Sequence, residues 1–237
     1  MTCRTATVLL SLLFLLSCVV LVSRCQTFDI RTLVGYQFNN GEGGLATQVS
    51  VNKPKGVAFH PVTGDLFIAD TENQVIRKVD KLNGEISTVA GIQGSWGFSG
   101  DGGPATQAKF WDPYAIAFSL DGQSMFIADF NNNRIRMVKD GIITTVAGNG
   151  TSTFTGDGVL ATDTGLNWPY DVTVLPTTGE LVIADTFNRR IRTVSSSGII
   201  STIAGGGSLS FWSSNVSATS VDLMFIDSVV AKSNGEI

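Results

Sequence analysis

Three times in this chain an aspartate, an asparagine and an arginine recur at one spacing: Asp70, Asn73 and Arg77; Asp129, Asn132 and Arg136; Asp185, Asn188 and Arg192. A carboxylate, a carboxamide and a guanidinium so close together are the groups that acid–base and anion-stabilising catalysis employs. Catalysis needs one such set, however, and this chain writes the set into every copy of a repeat. An aspartate closing one strand of a hairpin can accept hydrogen bonds from turn amides and from an arginine on the neighbouring strand. That use fixes a turn and satisfies buried polar groups, so these nine residues are assigned a structural role.

Other reactive residue types are sparse. Asp101 and Asp157 each stand in a Gly-Asp-Gly segment, where carboxylate and carbonyl oxygens could hold a hard cation such as calcium. Each copy supplies one carboxylate, and glycines for tight turns explain the segment equally well, so no cofactor is expected. His60 is the only histidine; it precedes Pro61 at a strand end and is expected to face solvent. The tryptophans Trp96, Trp111, Trp168 and Trp212, with Phe98, Phe110, Phe154 and Phe211, lie in or beside the long inter-repeat segments. They either anchor those segments or form a contact surface for a ligand, since large aromatic side chains dominate binding hot spots.

The elements that position these residues follow from the repeat. Asp70 and Asp129 are 59 residues apart and Asp129 and Asp185 are 56 apart. Periods of this size mark arrays of supersecondary units. In the second copy, Ala115–Phe118, Ser124–Asp129, Arg134–Lys139 and Ile142–Ala147 read as short strands. Asp121-Gly122, Asn131-Asn132-Asn133 and Asp140-Gly141 mark the turns between them. Four short antiparallel strands with tight turns make one blade of an all-β propeller. Blade cores are placed at about residues 54–91, 113–148 and 169–205, with a truncated blade at 226–237. The linkers repeat too: Phe98-Ser99-Gly100-Asp101-Gly102-Gly103-Pro104-Ala105-Thr106 returns as Phe154-Thr155-Gly156-Asp157-Gly158-Val159-Leu160-Ala161-Thr162. A worn copy spans 40–47. Such regular connections are expected to cross between blades and pack on a blade edge.

The combined pattern, with Ile-Ala-Asp-x-x-Asn-x-x-Ile-Arg in the blade and Gly-Asp-Gly-Gly-Pro-Ala-Thr in the linker, resembles the NHL repeat in its extracellular, long-linker, teneurin-type form. The resemblance covers about residues 32–237. It implies a propeller, six-bladed in the parent protein, of which this chain carries about three full blades, partial blades at both ends and the closing strand Thr32-Leu33-Val34-Gly35. It also implies a non-catalytic interaction or scaffold module. Neighbouring propeller families include metal-dependent gluconolactonase-like hydrolases, which is the alternative reading. That chemistry needs an unrepeated carboxylate set at the channel, and the available Glu42, Asp112 and Asp171 are scattered in sequence. Asp112 and Asp171 flank prolines at inner-strand starts and are expected to line the channel, where other copies carry Lys55 or Ala115.

The N-terminus places this module outside the cytosol. An apolar run from Val8 to Leu16, followed by small residues Ser23 and Cys25, has the form of a signal peptide over 1–25. All three cysteines, Cys3, Cys18 and Cys25, fall inside it, so the remainder needs no disulfide. Removing it also removes Arg4 and Arg24, leaving 14 basic against 20 acidic side chains and a net charge of −6. That balance, with no basic run, disfavours nucleic acid and anionic membrane as partners. Asn149 and Asn215 head glycosylation sequons. A secreted or cell-surface glycoprotein that binds an extracellular protein or glycan is the expected product. The Asn234-Gly235-Glu236-Ile237 turn stops where another Ile-Ala-Asp strand would begin, so the chain reads as part of a longer product that could carry a membrane anchor downstream.

Overall fold

A computed structural model describes residues 18–19, 32–34, 41–210, 212–234 and 237. The chain is all-β, and no described segment is an α-helix or is long and apolar enough to cross a membrane as one. The expected leader lies almost wholly outside the described residues. Its strand β1 (Cys18–Val19) pairs antiparallel with β2 (Thr32–Val34), the segment that the repeat assigns to a preceding blade.

Three antiparallel sheets follow. The first comprises β3 (Val57–Phe59), β4 (Leu66–Asp70), β5 (Val75–Val79) and β6 (Ile86–Ala90). The second comprises β7 (Pro113–Phe118), β8 (Ser124–Asp129), β9 (Arg134–Lys139) and β10 (Ile142–Ala147). A two-residue strand, β11 (Val159–Leu160), then leads to β12 (Pro169–Val174), β13 (Leu181–Asp185), β14 (Arg190–Val194) and β15 (Ile199–Gly205). In each blade the strands neighbour one another in chain order, as hairpins with short turns require.

Alternation along the second strand of each blade builds the core. Phe67 and Ala69 face forward onto Ile116, Met125 and Ile127 of the second blade. Leu66 and Ile68 face the other way, onto Ala46, Val49 and Val51. Phe126 and Ala128 pack forward onto Val172, Val174 and Ile183 in the same manner. A strand buried on both faces shows no polar alternation, which is why β4 and β13 are buried at every position.

Each long linker pairs with the outermost strand of the blade that it enters. Gly43 and Gly44 exchange backbone hydrogen bonds with Ile86, Gly102 and Gly103 with Ile143, and β11 pairs with β15. The outer edge of each blade sheet is thereby covered, while β3, β7 and β12 remain the inner edge strands. Past the third blade, residues 221–231 run without regular strand structure among the described residues. Ile226, Leu223 and Val229 nevertheless cover the forward face of that blade by packing on Leu175, Val182 and Ile191.

Candidate functional site

The repeated polar triplets form buried clamps. Asp129 and Arg136 have no solvent exposure. The Asp129 Oδ1 accepts from the Trp111 amide at 2.9 Å, and its Oδ2 accepts from Asn132 Nδ2 at 2.9 Å and Arg136 Nη1 at 3.2 Å. Asp185 accepts in the same way from the Asn167 amide, Asn188 and Arg192. Asp70 accepts from the Asn52 amide and Asn73. The backbone donor therefore belongs to the residue two before each inner-strand proline, so the clamp ties the second strand to the chain entering the blade.

The linker carboxylates complete these clamps. Arg136 donates from Nε and Nη2 to Asp101 Oδ1 at 3.0 and 2.7 Å, and Thr145 Oγ1 donates to Asp101 Oδ2 at 2.6 Å. Arg192 and Thr202 hold Asp157 likewise, and Arg77 and Thr88 hold Glu42. Phe98 lies under Arg134 and Arg136, and Phe154 under Arg190 and Arg192, with guanidinium-to-ring distances of 3.8–4.8 Å. The Gly-Asp-Gly aspartates thus bind guanidinium. Burial pushes Asp129 up to about 6 against the opposing pull of its donors, and it raises Asp70 and Asp185 in the same direction.

His60 departs from its expected solvent-facing position. Its Nε2 lies 3.1 Å from the Gly122 carbonyl, and its ring packs edge-on to Phe118 with centroids 5.1 Å apart. It joins the first blade to a hairpin turn of the second. Asp112 also departs from expectation, being bonded to Gln74 and Asn131 instead of lining the channel. Among the described residues no three or more His, Cys, Asp or Glu side chains gather as a metal site, and Glu42, Asp112 and Asp171 are held by different partners.

Asp171 lines a cleft. The cleft, of about 410 Å³, is lined chiefly by Lys55, Tyr114, Tyr170, Asp171, Asp227 and Ser228. Ser228 and the Val229 amide donate to Asp171 Oδ2 at 2.6 and 3.0 Å, fastening residues 226–231 to the third blade. Thr186 Oγ1 donates to the Ile226 carbonyl, as Thr71 does to Pro113 two blade boundaries earlier. Ile226 therefore stands where the other copies have an inner-strand proline.

An aromatic network borders this cleft. Tyr114 stacks on Phe130 at 4.3 Å and meets Tyr170 edge-on at 5.1 Å. Phe130 contacts Trp168, Trp168 contacts Phe187, and Phe225 touches both Tyr170 and Phe187. Trp168, Phe187 and Phe225 retain substantial exposure. Burial, with Tyr170 and Asp112 nearby, raises the Tyr114 phenol, so it stays a hydrogen-bond donor at neutral pH. Trp96 and Trp111 form a separate, partly exposed pair at 5.1 Å, and Trp212 is largely exposed. Of the four tryptophans singled out in the sequence, only Trp168 belongs to the network. Tyr114, Tyr170, Phe130 and Phe187 were missed because they sit on blade strands and turns, and Phe225 because it lies in the segment past the third blade. Their sequence signal is partial divergence: the repeat-equivalent position is Lys55, Tyr114, Tyr170 and Asp227, three residue types over four copies, while the clamps around it recur.

Both sequon asparagines are exposed. Asn149 Oδ1 accepts from the amide and hydroxyl of Thr151, within its own sequon, at 2.9 and 2.7 Å.

Four-stranded antiparallel blades packed face to face define a β-propeller-type repeat protein. Its repeats resemble the NHL repeat of the relatives that follow. No protein-family model matches the chain. It is similar to Teneurin-m of Drosophila melanogaster, 32% identical over 167 residues, covering 61% of this chain and 6% of that protein. NHL repeat-containing protein 2 of Homo sapiens is 35% identical over 83 residues, 35% of this chain and 11% of the relative. Protein SUPPRESSOR OF QUENCHING 1, chloroplastic, of Arabidopsis thaliana is 29% identical over 154 residues, 64% of this chain and 14% of the relative. The chain thus spans a small part of each of these relatives.

Two solved structures share the fold. An auxiliary nutrient binding protein from Bacteroides thetaiotaomicron superposes with a TM-score of 0.53 at 18% identity, over 76% of this chain and 39% of that one. A chain of a nidogen/laminin complex gives a TM-score of 0.52 at 19% identity, over 78% and 56%.

Proposed function

We propose that this chain is a non-catalytic extracellular recognition module, which binds a protein or glycan ligand at the cleft where the inner strands begin. One observation carries this reading. The residues that build the clamps are the same in each copy, whereas the equivalent positions facing the cleft are Lys55, Tyr114, Tyr170 and Asp227. Identical side chains serve the scaffold that every blade shares. A lysine, two tyrosines and an aspartate converging on one concavity give it an asymmetric chemistry, and a few placed polar groups among aromatic rings is the composition of a ligand site. The apolar leader and the Asn149 and Asn215 sequons support secretion or display at the cell surface, with glycans on the loops.

A reporter-tagged full chain, applied to intact cells of the source organism, tests this function. Saturable surface binding is expected, reduced at least tenfold by the double substitution Tyr114→Ala/Tyr170→Ala in a variant whose circular dichroism matches wild type. Equal binding by the two folded proteins would refute the assignment of the cleft. Absence of any saturable binding would refute the recognition role.

A further inference from the structure

The groups left unsatisfied around the cleft narrow the ligand class. The Tyr114 and Tyr170 hydroxyls, the Lys55 ammonium and the Asp227 carboxylate line it or its rim, and none hydrogen-bonds another described protein group. Lys55 lies over the Tyr114 ring at 5.4 Å, its ammonium available for a further acceptor. Asp171, by contrast, spends Oδ2 on Ser228 and Val229 and Oδ1 on the Val172 amide. The free set therefore mixes three groups able to donate with one strong acceptor, spread over four successive repeat copies. A ligand that satisfied it would carry several hydroxyl or carbonyl groups around its perimeter.

The rings beside the cleft impose a second requirement. Phe225, Phe187 and Trp168 are 58, 45 and 38% exposed and touch one another in a chain that begins at Tyr170. Exposed aromatic surface that is contiguous and rimmed by polar groups marks an interaction site. Its partner would offer flat apolar patches at intervals. Charge supplies a third requirement: one lysine faces two aspartates, Asp171 and Asp227, so the cleft carries a net negative charge and disfavours a polyanion. An uncharged chain of hexopyranose rings meets all three. Each ring presents a C–H face that can lie on an aromatic plane and an equatorial belt of hydroxyls that donate and accept. A peptide would satisfy the aromatic surface, but it presents one backbone donor and one acceptor per residue and no belt of hydroxyls to Lys55, Tyr114 and Asp227, and the outer blade edges where a strand could add are covered by the linkers.

We infer that the cleft and its aromatic border bind a neutral oligosaccharide, seated with ring faces on Tyr170 and Phe225 and hydroxyls on Lys55, Tyr114 and Asp227. This assignment rests on the recognition role proposed above and specifies its ligand. The test is calorimetric titration of the full glycosylated chain with cellohexaose, xylohexaose, mannohexaose and chitohexaose, with a hexagalacturonate as the acidic comparator. Binding of at least one neutral hexamer is expected, unchanged between 0.05 and 0.5 M salt because no ion pair forms. Tyr170→Ala should weaken it at least tenfold and Asp227→Asn severalfold. Tyr170→Phe, which keeps the ring and the fold, should weaken it less than Tyr170→Ala does.

If no neutral hexamer binds, or if only the hexagalacturonate does, the inference is overturned. Cell-surface binding that survives glycosidase treatment but not protease treatment would identify a protein ligand, leaving the recognition role standing without this specificity. Neutral-hexamer binding that is equal in wild type and Tyr170→Ala would place the sugar elsewhere and also overturn it.

Discussion

At the scale of single residues, the aspartate–arginine clamps bury opposite charges against one another. Asp129 and Arg136 are both without solvent exposure, and removing Arg136 leaves the buried Asp129 carboxylate with neutral donors alone, the Trp111 amide and Asn132, while Asp101 loses its guanidinium. Arg136→Met is therefore expected to cost about 3–5 kcal/mol in urea unfolding. The double variant Arg136→Met/Asp129→Asn should recover part of that loss, and strictly additive costs would contradict the clamp. Because burial raises Asp129 to about 6, the folded protein binds its proton more tightly than the unfolded chain does. The contribution of Asp129 is fully present below about pH 4 and is lost as pH rises through about 6, a change on the order of 3 kcal/mol at most. Asp129→Asn should thus flatten the stability profile between pH 4 and 7 relative to wild type. Parallel profiles would show that Asp129 does not titrate in that window. The triplets were legible in the sequence because they recur. Their linker partners were legible only as repeated Gly-Asp-Gly segments, since nothing in a spacing of 35 residues shows that Arg136 reaches Asp101.

At the scale of elements, the linker and the outer strand depend on one another. Asp101 is half-exposed and holds the linker through Arg136 and Thr145. Asp101→Ala is expected to leave the second sheet intact while freeing the linker. Hydrogen exchange would read this as faster exchange at Gly102, Ala105 and Ile143, whose amides pair the linker with β10 and its turn, with the β8 amides unchanged. Uniform acceleration across the blade would instead mean that linker and sheet unfold together. Gly148 closes β10 at φ +84°, with the Asn133 carbonyl directly where a Cβ would stand. Gly148→Ala should therefore destabilise by more than about 2 kcal/mol, because backbone strain and a backbone clash combine. The four strands of the second blade were readable from alternation and turn residues. The covering of each outer edge was not, because β11 is two residues long and the other linkers pair through glycines. His60 was misplaced for a related reason: a histidine before proline looks like a surface turn, and the neighbouring hairpin that shelters it lies 62 residues away.

At the scale of the whole molecule, repetition made the architecture plain and obscured the site. What recurs stabilises every blade alike, so the most conspicuous motif proved to be scaffold, while the cleft is built from positions at which the copies disagree. Tyr114, Tyr170 and Phe225 come together only through blade packing and the docking of residues 226–231. That docking has its own expected readout: Asp171→Ala, which removes the acceptor for Ser228 and Val229, should raise the protease sensitivity of residues 223–231 ahead of the blades. Simultaneous cleavage of the blades would argue against a separately held segment. The pairing of each linker with the blade ahead of it carries one more consequence. The self-sufficient unit of this chain begins at the glycine after one fourth strand and ends at the next, from Gly91 to Ala147 or from Gly148 to Ala204. A gene cut and rejoined at those glycines would gain or lose a whole cassette without baring a sheet edge, so arrays of different copy number are within easy evolutionary reach.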